Sequence, residues 1–258
     1  MAIPLRDNLL SVKDLRKSFG GVKAVAGVTF DVPRGTVTGL IGPNGAGKST
    51  VVNSLSGFHG VDGGSVTFDG TDVTNWQSHK VAQRGLIRTF QLARELQSLT
   101  VFENMLLAPN KTPGQTSWQA LFARKKIRES ERELLVKAVD LLKRFNLFHV
   151  RDEYAGNLSG GQKKLLDLAR ALMADPRLML LDEPMAGVNP TLAGQLQEHI
   201  RDLKDEKGIT FLLIEHNLRI VESLCNHVVV MAEGTILAEG NMSALRENEN
   251  VVKAYLGG

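Results

Sequence analysis

Gly42-Pro43-Asn44-Gly45-Ala46-Gly47-Lys48-Ser49 decides the fold. It satisfies the G-x-x-x-x-G-K-[ST] pattern, directly after an apolar strand-like run at 37–41 and just before a helical run. Glycines let such a loop wrap a phosphate with its backbone N–H groups pointing inward. The helix that follows presents its positive end to the same anion. In that arrangement Lys48 neutralises the β and γ phosphates of a nucleoside triphosphate, and Ser49 offers its hydroxyl to Mg²⁺. Thr50, next in the chain, completes the set of phosphate-binding positions.

Outward from this loop, strand-sized apolar runs alternate with helical stretches, which favours a mainly parallel sheet with crossover helices. Runs at 9–15, 28–32 and 37–41 read as strands. Gly63-Gly64 precedes another at 65–68, closed by the turn signal Asp69-Gly70. The first hundred residues therefore combine an antiparallel β part with the opening of an α/β nucleotide-binding unit. Between 117 and 148 the texture changes to Arg, Lys, Glu and Leu at helical spacing, a helical subdomain inserted into the α/β core. Strand signals return at 178–181, 209–215 and 228–231, separated by helical runs at 165–173 and 192–204. A last helix is expected at 250–256. The segment 110–115, Asn-Lys-Thr-Pro-Gly-Gln, reads as a surface loop.

A phosphate loop of this type needs an acidic counterpart. Leu178-Met179-Leu180-Leu181-Asp182-Glu183 supplies one: a buried strand ending in two carboxylates. Asp182 is the expected partner of Mg²⁺, often through water. Glu183, one step further, is expected on the other face of the strand, placed to polarise an attacking water. Leu158-Ser159-Gly160-Gly161-Gln162 stands just before a helical run that opens at Lys163 and forms a second anion-seeking helix start. One loop already holds the triphosphate. Two chains facing head to tail would bury each nucleotide between the loop of one and Ser159 to Gln162 of the other.

The Leu158–Gln162 stretch is the signature of the ABC ATPases, and the chain resembles that family over nearly its whole length. The resemblance implies one domain over 1–258: a P-loop ABC ATPase core with a mainly parallel sheet and an N-terminal antiparallel β subdomain. It also implies a helical insertion at about 92–158 and a helical tail at 240–258. Phe19 fits the aromatic that stacks on adenine. Gln91, in Arg88-Thr89-Phe90-Gln91, resembles the glutamine that touches Mg²⁺ and the attacking water. His216, in Ile214-Glu215-His216, matches the histidine that contacts the γ-phosphate. Glu183, His216 and Gln91 are thus the expected catalytic set, with ATP and Mg²⁺ as the bound groups.

The loop after Glu183 carries Asn189 where many family members have aspartate. Its Ala-Gly-x-Asn-Pro form, the Arg-Thr-Phe-Gln segment, the long stretch between Gln91 and Ser159, and the closing Ala254-Tyr255-Leu256-Gly257 are similar to the ATPase subunits of branched-chain amino acid importers. That resemblance implies a second ATPase subunit, identical or related, two membrane permease subunits and an extracytoplasmic binding protein. It places the chain at the cytoplasmic face of the membrane. The ATPases of urea import and of lipopolysaccharide export share similar loops. Soluble ABC ATPases of DNA or translation share the nucleotide motifs, but they add coiled coils, zinc modules or a second nucleotide domain.

Composition agrees with this. The 258 residues are 43% hydrophobic and 23% charged, near the globular average of about 45–50% and 25%. A net charge of +3 offers no dedicated nucleic-acid surface, and Arg124-Lys125-Lys126 reads as a solvated helix face. Cys225 stands alone, which excludes a disulfide framework and a thiolate metal cluster. No apolar run approaches the roughly 18–20 residues that cross a bilayer. Pro4, Arg6 and Asp7 interrupt the only N-terminal stretch that could mimic a signal peptide.

Overall fold

A computed structural model describes residues 7–89, 94–108 and 124–256. These divide into two compact units. One comprises Met1–Arg88, Arg177–Ala186 and Ala193–Gly258; the other comprises Thr89–Pro176 and Gly187–Leu192.

The first unit holds two sheets. Strands β1 (Asn8–Phe19), β2 (Val22–Pro33), β4 (Gly63–Phe68) and β5 (Thr71–Asp72) form an antiparallel sheet in the order β2-β1-β4-β5. The second sheet runs β10-β9-β3-β8-β7-β6. Its strands are β3 (Val37–Ile41), β6 (Leu86–Arg88), β7 (Leu178–Asp182), β8 (Thr210–Ile214), β9 (His227–Ala232) and β10 (Thr235–Gly240). The pairings of β3 with β8 and β9, of β7 with β8, and of β6 with β7 are parallel, and β10 joins β9 antiparallel. β3 and β8 are buried at every position, as strands covered on both faces must be. Leu10, Val12, Phe30, Val32 and Phe68 of the first sheet share one core with Leu40, Leu180, Leu212 and Val229 of the second and with Val51 and Val52 of helix α1 (Lys48–Leu55). On the opposite side, Ile41, Val228 and Val230 pack with Met242, Leu245 and Val251, from the short helices α9 (Met242–Arg246) and α10 (Glu249–Leu256).

Helices dominate the second unit: α3 (Arg94–Gln97), α4 (Val101–Leu106), α5 (Arg124–Arg144) and α6 (Gly160–Met173). Thr100 and Glu103 close a capping box at the start of α4, and Thr100 pairs with Tyr154 in an isolated bridge. α2 (Ser78–Gln83), α7 (Pro190–Lys207) and α8 (Leu218–Leu224) complete the helices in chain order among the described residues. The surface loop expected at 110–115 lies outside them.

Several elements differ from the sequence expectation. β1 runs on past Leu15 to Phe19, with Arg16 to Phe19 pairing onto β2, and a register shift between Val12 and Leu15 accommodates Asp14 at φ 48°, its N–H donating to Thr29 Oγ1 at 2.8 Å. The irregularity at Asp14 is a bulge inside the strand. β6 and β10 were not anticipated. β6 is three residues long. β10 is only partly buried and is joined to β9 through Glu233 (φ 48°) and Gly234 (φ 77°), a hairpin turn of two left-handed residues. Helix α6 opens at Gly160, ahead of the expected Lys163, because Ser159 caps it. Cys225, expected as a small buried side chain, is half-buried; a Cβ on Gly39 would lie 3.1 Å from its sulfur.

Candidate functional site

The sheet order sets the site. β8 lies between β3 and β7, so the segments leaving the carboxyl ends of these three parallel strands are neighbours. Open parallel sheets bind ligands at that edge. After β3 comes Gly42 to Ser49, after β7 comes Glu183, and after β8 come Glu215 and His216.

The loop at 42–47 is pressed between backbones. A Cβ on Gly42 would meet Met231 O at 2.1 Å, and one on Gly47 would meet Ala24 O at 2.4 Å. At Gly45 (φ 80°) a Cβ would meet nothing within 4 Å, so this glycine faces open space and is required by its backbone angle. Gly47 is the N-cap of α1 and has no side chain to satisfy the first turn, which leaves N–H donors for an anion. Lys48, the first residue of α1, is 6% exposed. Its Nζ donates to Gly42 O at 2.8 Å and Pro43 O at 2.9 Å, folding the ammonium back over its own loop. Burial draws the Lys48 pKa below its ordinary value, and the charges of Glu183 and Asp182 pull the other way. Lysine and both acids therefore share one electrostatic neighbourhood.

Asp182 closes β7 and is held by Arg88, whose Nη2–H donates to Asp182 Oδ2 at 2.9 Å. Glu183 does not alternate across the strand as expected. It leaves β7 in the left-handed region at φ 49°, with its N–H donating to Ile214 O at 3.0 Å. That turn brings Glu183 Oε1 to 2.8 Å from His216 Nε2, with both side chains a little over two-fifths exposed. Behind them Glu215, 4% exposed, accepts N–H bonds from Met185 and from His216 itself, each at 3.2 Å.

Ser49 and Asp182 offer hard oxygen donors in the same unit. Mg²⁺ is bound through one or two protein oxygens, with phosphate and water completing its octahedron. The residues present fit that role: the carboxylate sits near the buried Lys48 and beside the uncapped helix start.

Phe19 ends β1 at a hairpin tip, next to Gly20 at φ 57°. It is 45% exposed and so is no core phenylalanine. Its ring meets His59 edge-to-face at 5.3 Å between centroids, and Lys17 Nζ lies 5.4 Å from its centre. In the second unit, Ser159 Oγ accepts from Gln162 N–H at 3.2 Å while Gln162 Oε1 accepts from Ser159 N–H at 2.9 Å, a complete capping box. The two glycines between them differ. Gly160 faces open space, whereas a Cβ on Gly161 would strike the end of Leu192 at 2.0 Å. Asn189, the departure from aspartate, accepts from Leu192 N–H at 2.9 Å and so caps α7 ahead of Pro190. Gln91 lies outside the described residues.

Sequence reasoning missed three participants. Asn189-Pro190 was legible as a cap followed by proline at the first helical position. Arg88 was in view, but only as a neighbour of Gln91. Glu215 gave no signal, because nothing local announces that a carboxylate at a strand end turns inward.

Residues 25–186 match the ABC transporter family. The chain is 42% identical over 249 residues, 96% of its length and 95% of the relative's, to a probable branched-chain amino acid transport ATP-binding protein LivG of Archaeoglobus fulgidus. It is 41% identical to the high-affinity branched-chain amino acid transport ATP-binding protein BraF of Pseudomonas aeruginosa, across 96% of this chain and 98% of that one. Among solved structures it resembles a nucleotide-free ATP-binding cassette from an ABC transporter, with TM-score 0.85, 41% identity and coverage of 97% of this chain and 100% of that one. The ADP conformation of an ATP-binding cassette of an ABC transporter matches equally, with TM-score 0.85, 42% identity and coverage of 97% and 99%. A phosphate loop, an acidic strand end and a histidine aligned on neighbouring parallel strands, with matches of this extent, make the chain a member of the ABC transporter family.

Proposed function

We propose that the chain hydrolyses ATP to ADP and phosphate and thereby powers uptake of branched-chain or other amino acids through membrane permease partners. The observation that carries the catalytic part is the 2.8 Å contact between Glu183 and His216 beside Lys48. Phosphoryl transfer asks for positioning and charge neutralisation more than for covalent chemistry. Glu183 accepts a proton from the attacking water as the new P–O bond forms and the bond to the ADP oxygen breaks. His216 orients Glu183 through their hydrogen bond and reaches the γ-phosphate. Lys48 leaves the carbonyls of Gly42 and Pro43 for the β and γ oxygens, an exchange in which it stays buried and charged. Ser49 and Asp182 would hold Mg²⁺, which when bound neutralises charge on those oxygens. Phe19 offers its exposed ring to adenine, and Ser159, Gly160, Gly161 and Gln162 face the nucleotide of the opposite subunit.

The cargo reading rests on the relatives, whose names specify branched-chain amino acid transport. It carries with it a second ATPase subunit, two permease subunits and an extracytoplasmic binding protein, with the chain peripheral on the cytoplasmic side. No helix among the described residues is long and apolar enough to cross a membrane, so coupling to transport runs through these partners. The docking place for the permeases is read, by family resemblance, near Gln91 and the inserted helices at about 92–158.

The test is a pair of variants. Glu183→Gln keeps ATP affinity within about twofold and lowers turnover by at least a hundredfold, roughly the scale of losing a catalytic acid–base. Lys48→Ala instead weakens ATP binding itself. Turnover by Glu183→Gln near the unmodified rate removes Glu183 from its role, and unchanged affinity in Lys48→Ala removes the phosphates from the 42–49 loop.

A further inference from the structure

Arg88 ends β6, the strand beside β7, and its side chain is only 12% exposed. Its guanidinium reaches both β7 and α1. Nη2 donates to Asp182 Oδ2 at 2.9 Å, and Nη1 donates to Asn53 Oδ1. Asn53 stands four residues after Ser49 on α1, so the two occupy one face of that helix. A single rigid fork therefore joins the strand end carrying Asp182 to the helix face carrying Ser49. Those are the two oxygen donors that fit Mg²⁺.

We infer that Arg88 is a positioning residue that sets how tightly the site takes Mg²⁺. It occupies one oxygen of Asp182, leaves the other for the cation's shell, and opposes the cation with its own charge. A guanidinium cannot discard its proton in a protein, so the opposition persists across the working pH range. A guanidinium 2.9 Å from a carboxylate offsets part of the negative charge that a second cation would meet. The affinity for Mg²⁺ falls for that reason. Attenuation of this kind would make the hold of Ser49 and Asp182 on Mg²⁺ depend on the nucleotide's phosphates. The inference rests on the ATP-binding reading above.

The experiment titrates a fluorescent non-hydrolysable ATP analogue against the full chain at a series of Mg²⁺ concentrations and in EDTA. Arg88→Met, long but uncharged, lowers the Mg²⁺ concentration for half-maximal binding by about tenfold. It leaves affinity in EDTA unchanged. Arg88→Lys, which keeps the charge, stays within about threefold of the unmodified chain. In an Asp182→Asn background, Arg88→Met gives a clearly smaller shift, since only the direct opposition between the two cations remains. A purely structural role would not produce that loss of coupling. An unchanged or raised Mg²⁺ requirement in Arg88→Met overturns the inference, as does a full shift that survives Asp182→Asn. Should Arg88→Met fail to fold by circular dichroism, Arg88→Gln carries the same expectation. Failure of the unmodified chain to bind the analogue at any Mg²⁺ concentration overturns the ATP-binding reading itself, and the role of Arg88 falls with it.

Discussion

A carboxylate as deeply buried as Glu215 would ordinarily bring a cationic partner with it, because an unpaired buried charge is costly. Backbone N–H groups serve instead: Met185 and His216 donate to its two oxygens at 3.2 Å, and Asn217 adds its own backbone N–H. These bonds tie the turn after Glu183 to the segment carrying His216, so Glu215 positions both members of the proposed catalytic pair. Burial raises its pKa above the ordinary 4.5, Glu183 raises it a little more, and the N–H donors hold the rise in check. For an acid the sign is fixed. A raised folded pKa means the folded state keeps the proton longer than the unfolded chain does. Stability is then full below the unfolded value and declines as pH rises toward the folded one. Glu215→Gln cannot ionise, so its stability relative to the unmodified chain should improve between about pH 4.5 and neutrality. Urea melts of both proteins across that range would show it, and a stability difference flat with pH would refute it. Cys225's own burial, with the charge of Glu215 as a lesser contributor, pushes its thiol up to about 12, which keeps that sulfur in its unreactive form.

Helix starts show what a sequence can and cannot disclose at the scale of elements. α1 and α6 both follow glycine-rich motifs, and both read as places for an anion. The folded chain separates them: α1 begins uncapped behind Gly47, while α6 satisfies part of its own first turn through Ser159 and Gln162. The motifs were legible because their chemistry is spelled by contiguous residues, as in Gly42 to Ser49 or Asp182-Glu183. Arg88 and Asp182 are 94 positions apart, and only the insertion of the short β6 beside β7 makes them partners. Glu183 illustrates the same limit within one residue, since its left-handed angle is imposed by the pairing with Ile214 and not by any local preference. For α6 the geometry predicts a separation of stability from function. Gly160 faces open space, so Gly160→Ala should hold or raise the melting temperature, with up to about 1 kcal/mol of helix stabilisation available. On the proposal that this motif meets the opposite subunit's nucleotide, the added methyl stands in the way of that contact, and ATP turnover should drop at least tenfold, roughly the least expected from losing a transition-state donor. Calorimetry paired with a phosphate-release assay tests this, and retained turnover would show that residue 160 does not face a phosphate.

At the scale of the whole molecule, the two glycine-rich motifs belong to different compact units, with Gly42 to Ser49 in one and Ser159 to Gln162 in the other. If one chain's loop meets the other chain's Ser159, ATP becomes a component of the subunit interface and its binding free energy is added to association. At a hundred times its dissociation constant a ligand contributes about 2.7 kcal/mol, roughly a hundredfold tighter assembly. Cleavage to ADP and phosphate withdraws that contribution, which is how hydrolysis would release work to the permeases. The net charge of +3 imposes little self-repulsion against such pairing. Light scattering should therefore find Glu183→Gln doubling in mass when ATP is added and reverting when ATP is removed, while Lys48→Ala stays single under both conditions. Where the natural counterpart is a related but different ATPase subunit, the doubling appears only when that subunit is supplied. Single chains at saturating ATP in both settings would mean the nucleotide is not shared, and the transport mechanism would have to rest on motion within one subunit.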